Sequence, residues 1–142
     1  MYATLAGLLI AVITVLSVKL GKTENSPWAY PFILACYPLF YFGFALYAND
    51  SHALIQELIY SIPIFIICLL TALKSFKYSA CILATGYVIH GIYDFFHHHL
   101  FINTGMPVWW PEFCGTIDLI IGVYLFAFAM NIPNKSLLSE NA

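Results

Sequence analysis

The feature that most restricts this chain is a series of five apolar runs, each near the roughly 20 residues a helix needs to cross a bilayer. They cover approximately 3–20, 31–47, 53–73, 79–98 and 116–132. The breaks between them carry turn chemistry: Gly21 to Pro27, then Asn49-Asp50-Ser51, then Lys74 to Tyr78. Any of Asn49, Asp50 or Ser51 can also cap the third run as a helix.

Composition excludes the main alternative. Of 142 residues, 62% are hydrophobic and 8% charged, whereas a soluble domain carries about 25% charged residues. So few charges cannot solvate the outside of a water-soluble globule. The expected fold is therefore an all-α, multi-pass membrane protein, a five-helix transmembrane bundle forming one domain over 1–142. The first run has no basic segment before it and no small-residue cleavage site, and Lys19 and Lys22 follow it, so it reads as a retained span. The chain contains no arginine and no basic stripe, which sets nucleic acid aside as a partner. The expected partners are the lipid bilayer and a lipophilic small molecule, with homo-oligomerisation left open.

Five crossings put Lys19 and Lys22 on the same side as Lys74, Lys77 and Lys135. The positive-inside rule makes that side the cytoplasm, giving an N-out, C-in arrangement with the loops around Asp50–His52 and 102–115 outside. Trp109 and Trp110 then fall in the outer interface, where aromatic anchors are expected.

An ionisable group in hydrocarbon is costly, so each one inside a span is a functional hypothesis. Glu57 and Asp94 each lie four residues in from the outer end of their spans, roughly 6 Å deep at the helical rise, and Asp118 is in the first turn of the fifth. On the fourth span His90, Asp94, His97 and His98 follow i, i+4, i+7, i+8 and share a face, while His99 points nearly opposite. With every lysine at the other end, these acids can be neutralised only by histidine, a proton or a bound cation. Imidazole and carboxylate donors suit a divalent transition metal such as zinc, iron or manganese. The candidate ligands are His90, Asp94, His97, His98 and Asp118; the candidate catalytic acids are Glu57, Asp94 and Asp118. The alternative is a set of interfacial histidines at a helix end, with Asp94 bonded to His90 or His98.

Other residues are read more plainly. Cys114, four residues before Asp118, is a structural cysteine or an added ligand, with the structural role favoured because nothing basic adjoins it in sequence. Cys36, Cys68 and Cys81 belong to the inner halves of their spans and read as packing residues too distant for a bridge to Cys114. Without a C-x-x-C pair, thiol-redox chemistry is not indicated. Tyr37 and Tyr41 share a face and read as packing, Glu57 with Ser61 is a weak acid–hydroxyl pair, and Pro63 suggests a bend with a pocket below the acids.

The segment His90-Gly91-Ile92-Tyr93-Asp94-Phe95-Phe96-His97-His98, the loop containing Pro107, Trp109 and Pro111, and Cys114-x-x-x-Asp118 together resemble a family of small bacterial integral membrane proteins of unknown function. The resemblance covers about the last third of the chain. It departs where Tyr93 replaces the usual tryptophan, where a third histidine is present, and where Leu119 replaces a common proline. It implies a multi-pass protein of the bacterial inner membrane carrying an H/D/H-H constellation, and it supplies no activity. The leading expectation is a metal-dependent membrane enzyme, a hydrolase, oxidase or isomerase, acting on a lipophilic or lipid-derived substrate. Proton or metal-ion translocation and a non-catalytic subunit are the alternatives.

Overall fold

A computed structural model describes residues 1–73 and 76–131. Among them are five helices and no strand: α1 (Tyr2–Leu20), α2 (Ala29–Tyr47), α3 (Ser51–Ala72), α4 (Phe76–Leu100) and α5 (Trp110–Asn131). All five are long and apolar enough to cross a membrane. Lys74, Lys135 and the expected end of the fifth span at Ile132 lie outside the described residues.

The bundle is built inside out relative to a soluble protein. Leucine and isoleucine face outward all along α1, as at Leu5, Leu9 and Leu16, while Glu57, His90, Asp94, His97 and Asp118 are buried. That distribution follows from an apolar solvent, where backbone groups must be satisfied within each helix and polar side chains must find partners inside the bundle. Helix α4 is central: it packs on α5 along most of its length and on α3, with a lighter contact to α2. Helix α1 covers the far side of α5 with the small residues Gly7 and Ala11, and α2 packs on α3.

Two of the helix starts follow from local chemistry. The Asp50 carboxylate accepts the Ala53 backbone N–H at 2.9 Å and caps α3. The Ala53 N–H, followed by the Thr104 hydroxyl, holds the Asp50 carboxyl below the usual carboxylate range. Helix α5 begins at Trp110, six residues before the expected Thr116, because Pro111 sits in the first turn, where its missing N–H leaves no bond unmade. The expected 102–115 loop therefore shrinks to 101–109, and Cys114 lies a turn inside the helix. At the other break α4 extends back to Phe76 and forward to Leu100, so all three consecutive histidines are helical.

Helices α4 and α5 approach closely where Gly91 and Gly115 cross. A Cβ built on Gly91 would lie 3.1 Å from the Gly115 carbonyl oxygen, and one on Gly115 would lie 3.0 Å from the Gly91 carbonyl and 2.9 Å from the Phe95 ring. Small residues at such a crossing let two membrane helices touch along their backbones. Each glycine is also the sequence neighbour of a polar residue, Gly91 of His90 and Gly115 of Cys114, so the contact that closes the bundle also brings their side chains together.

Gly115→Val should push α4 and α5 apart at this crossing and destabilise the protein by about 1–3 kcal/mol, the usual range for overpacking. Gly43, whose added Cβ would meet nothing within 4 Å, is the control: Gly43→Ala should be neutral or slightly stabilising. Reversible unfolding in mixed micelles measures both.

Candidate functional site

The buried acids and histidines among the described residues form two centres, one completed by α5 and the other by α3. The first lies between α4 and α5. His90 Nδ1 is 2.6 Å from Asp118 Oδ2 and 3.6 Å from Asp94 Oδ2. With the Cys114 thiol, one donor atom from each of His90, Asp94, Cys114 and Asp118 lies within 4.8 Å of every other, and all four residues are buried. Tyr41 of α2 donates its hydroxyl to Asp94 Oδ1 at 2.7 Å. Asp94 Oδ2 and Asp118 Oδ1 are buried without a hydrogen-bond partner among the described residues.

That last fact sets the chemistry. Buried carboxylate oxygens are nearly always hydrogen-bonded or bound to a cation. Two carboxylates and one neutral imidazole carry a formal charge of −2, which one divalent cation cancels, and the described lysines Lys19 and Lys22 are exposed. Around a tetrahedral ion with bonds of about 2.0–2.3 Å, donor atoms stand roughly 3.3–3.8 Å apart. The His90–Asp94 spacing of 3.6 Å already matches. The His90–Asp118 contact of 2.6 Å would need to open by roughly 0.7–1.2 Å to reach that range, with Nδ1 deprotonated.

The second centre lies between α4 and α3 and is built around Glu57. Its Oε1 accepts from His97 Nε2 at 2.8 Å and from Asn103 Nδ2 at 2.9 Å, and its Oε2 accepts the Tyr93 hydroxyl at 2.8 Å. Asn103 comes from the 101–109 loop and also donates to the Tyr41 carbonyl at 3.1 Å. The loop is held over this centre by Thr104, whose hydroxyl donates to Asp50 at 2.9 Å, and by Gly105, where any Cβ would fall 2.0 Å from the Phe44 carbonyl. The two centres meet at Tyr41: its hydroxyl bonds Asp94, and its ring stacks on His97 with centroids 5.0 Å apart.

The structure thus divides the face expected to be one site. His90, Asp94 and Asp118 come together; Glu57 and His97 form a separate pair. His98 lies on neither. It is exposed, its ring 3.9 Å from that of His99, because one residue beyond His97 rotates the side chain by about 100°. The structure does not bring it to the other expected ligands. Cys114, read from sequence chiefly as structural, belongs to the first centre, because the earlier start of α5 turns it toward Asp94. Tyr41 is a bonding partner of an acid rather than packing alone. Ser61 donates to the Leu58 carbonyl at 2.9 Å and forms no pair with Glu57. The small cavity beside the acids, about 10 Å³, is lined by Pro38, Glu57 and His90 rather than by Pro63. All four cysteines are free thiols. Tyr93 and Asn103 went unrecognised as partners of Glu57. Tyr93 lies one residue before Asp94 and about 60° from His90 on a helical projection, a signal at the edge of legibility, while nothing in a loop asparagine points to α3.

Tyr41→Phe should cost about 1.5–3 kcal/mol, the range for a hydrogen bond to a charged group, because it removes a donor from a buried carboxylate and leaves the ring stacking in place. Tyr47→Phe, on an exposed tyrosine of the same helix, should be silent in the same unfolding measurement.

No family model matches the chain, and no curated protein or solved structure does either.

Proposed function

We propose that the chain is a multi-pass membrane enzyme that uses a divalent transition metal, held by His90, Asp94 and Asp118 with Cys114 beside them, to act on a lipophilic or lipid-derived substrate. The observation that carries this reading is the pair of buried carboxylate oxygens without a hydrogen-bond partner among the described residues, near one imidazole and one thiol. Zinc suits the mixed nitrogen, oxygen and sulfur donor set best; iron and manganese accept the nitrogen and oxygen donors. Three protein donors leave a position on the ion for water or a substrate oxygen, as catalytic use requires, and the ion supplies Lewis-acid activation there. Tyr41 would then act as the outer partner that orients Asp94.

Translocation of protons or metal ions is the second reading, favoured by a file of tyrosines running from the first centre toward the opposite end. The Tyr37 ring stacks near His90 and meets Tyr87, Tyr87 donates to the Tyr30 carbonyl at 2.8 Å, and Tyr30 meets Tyr124, which bonds Glu24. No Asp, Glu or His lies along that file between His90 and Glu24, so it lacks the exchangeable carriers a pathway uses.

For orientation we propose N-out and C-in in a bacterial inner membrane, supported by the lysine distribution and by the resemblance in the last third of the chain. Reporter fusions at both ends test this: activity of an external reporter at the N-terminus and of a cytoplasmic one at the C-terminus is expected, and both ends on one side would overturn it.

Metal analysis of untagged protein purified without chelator tests the central reading. About one equivalent of transition metal per chain is expected. His90→Ala and Asp118→Ala should each reduce it at least tenfold, whereas His98→Ala and His99→Ala should retain it. Cys114→Ala should also retain most of the metal if three donors suffice, which separates an open, catalytic ion from a closed structural one. Absence of stoichiometric metal from the wild type would overturn the proposal.

A further inference from the structure

The Glu57 centre has a feature that the metal does not use. Glu57 receives three donors, from His97, Asn103 and Tyr93, so it acts as acceptor throughout and its partner nitrogen on His97, Nε2, carries the proton. With both Glu57 oxygens already accepting, from Asn103 and Tyr93, a neutral His97 places its proton on Nε2 and leaves Nδ1 bare. It is fully buried and has no hydrogen-bond partner among the described residues. A histidine serving only as a structural link would be expected to satisfy both nitrogens. One nitrogen held by a carboxylate, with the other left free, is the arrangement of an oriented general base.

Beside this pair is a cavity of about 450 Å³, lined largely by apolar side chains that include Phe95, Phe101 and Met106, with Asn103, His98 and Glu112 as polar groups. Two of its walls belong to the Glu57 centre. Asn103 bonds Glu57 directly, and the Phe101 ring lies 4.7 Å from the His97 ring. Phe101 thus lines the cavity and also lies against the imidazole. The volume falls within the range of small-molecule sites, and a mostly apolar wall with a few polar groups is their usual lining.

We infer that His97 is a general base, positioned by Glu57, for an amphiphilic substrate that places its apolar body in this cavity and a hydroxyl, or a water bound with it, toward the imidazole. In the step assigned to it the O–H bond breaks, its proton forms an N–H bond at His97 Nδ1, its electron pair stays on the oxygen, and the resulting imidazolium is balanced by the Glu57 carboxylate. Glu57 is a positioning residue. Movement of the Phe101 ring admits the substrate.

The test uses p-bromophenacyl bromide, an apolar haloketone that alkylates an unprotonated imidazole nitrogen with loss of bromide, on the full chain in nanodiscs, with peptide mass spectrometry to locate the adduct. His97 should be alkylated, several-fold faster in Phe101→Ala, and slowed roughly tenfold or more in Glu57→Gln, which keeps the side chain's shape but removes its charge. An apolar alcohol, 1-decanol, should slow the wild-type reaction. Chelator should leave the His97 rate unchanged, so loss of the metal reading would not remove this one. Adducts confined to the exposed His98 and His99 in both wild type and Phe101→Ala would overturn the inference. So would a His97 rate indifferent to Glu57→Gln, or one indifferent to decanol.

Discussion

Three carboxylates inside an apolar bundle must be compensated from within it, and most of the described architecture can be traced to how that is done. Glu57 is compensated by hydrogen bonds from a histidine, a tyrosine and an asparagine that occupy both of its oxygens. Asp94 and Asp118 share a single imidazole and keep an oxygen each without a hydrogen-bond partner among the described residues. The same low-dielectric surroundings that make the first arrangement a rigid tie make the second a strong attractor for positive charge.

The backbone is shaped around these needs. Close contact at Gly91 and Gly115 brings α4 and α5 near enough for His90 to reach Asp118, and the proline start of α5 carries Cys114 into the same space. Where α4 meets α3, a short loop sends Asn103 down to Glu57 and is itself fastened to the cap of α3 through Thr104 and Asp50. The peripheral helix α1 contributes no acid or histidine and serves to cover α5.

Much of this could be read from residue order. Run length located the five helices to within a few residues at most ends, and the 3.6-residue period put His90, Asp94 and His97 on one side of α4. What the period could not show is which neighbour each residue faces. His90 and His97 differ by only about 20° around the helix axis, yet one meets α5 and the other α3, because they are two turns apart along it. Asn103 and Tyr41 were beyond reach for a different reason: a loop amide and a tyrosine on an apolar helix acquire their roles only when the chain brings α3 and α4 to them. The α5 boundary was misplaced because a Pro/Trp-rich segment was read as loop, although proline is at home in a first turn.

Tyr41 is the one side chain common to both centres, its hydroxyl on Asp94 and its ring on His97. A group that belongs to two equilibria links them. Any event that draws Asp94 away from the hydroxyl alters the position of the ring over His97, and a ligand that displaces His97 alters the hydrogen bond to Asp94. Linkage is reciprocal, so whatever free energy one occupant contributes to ordering Tyr41 is returned to the affinity of the other. The bundle thereby has the means to make occupancy of one polar centre conditional on the other, through a single rigid aromatic rather than through movement of a helix.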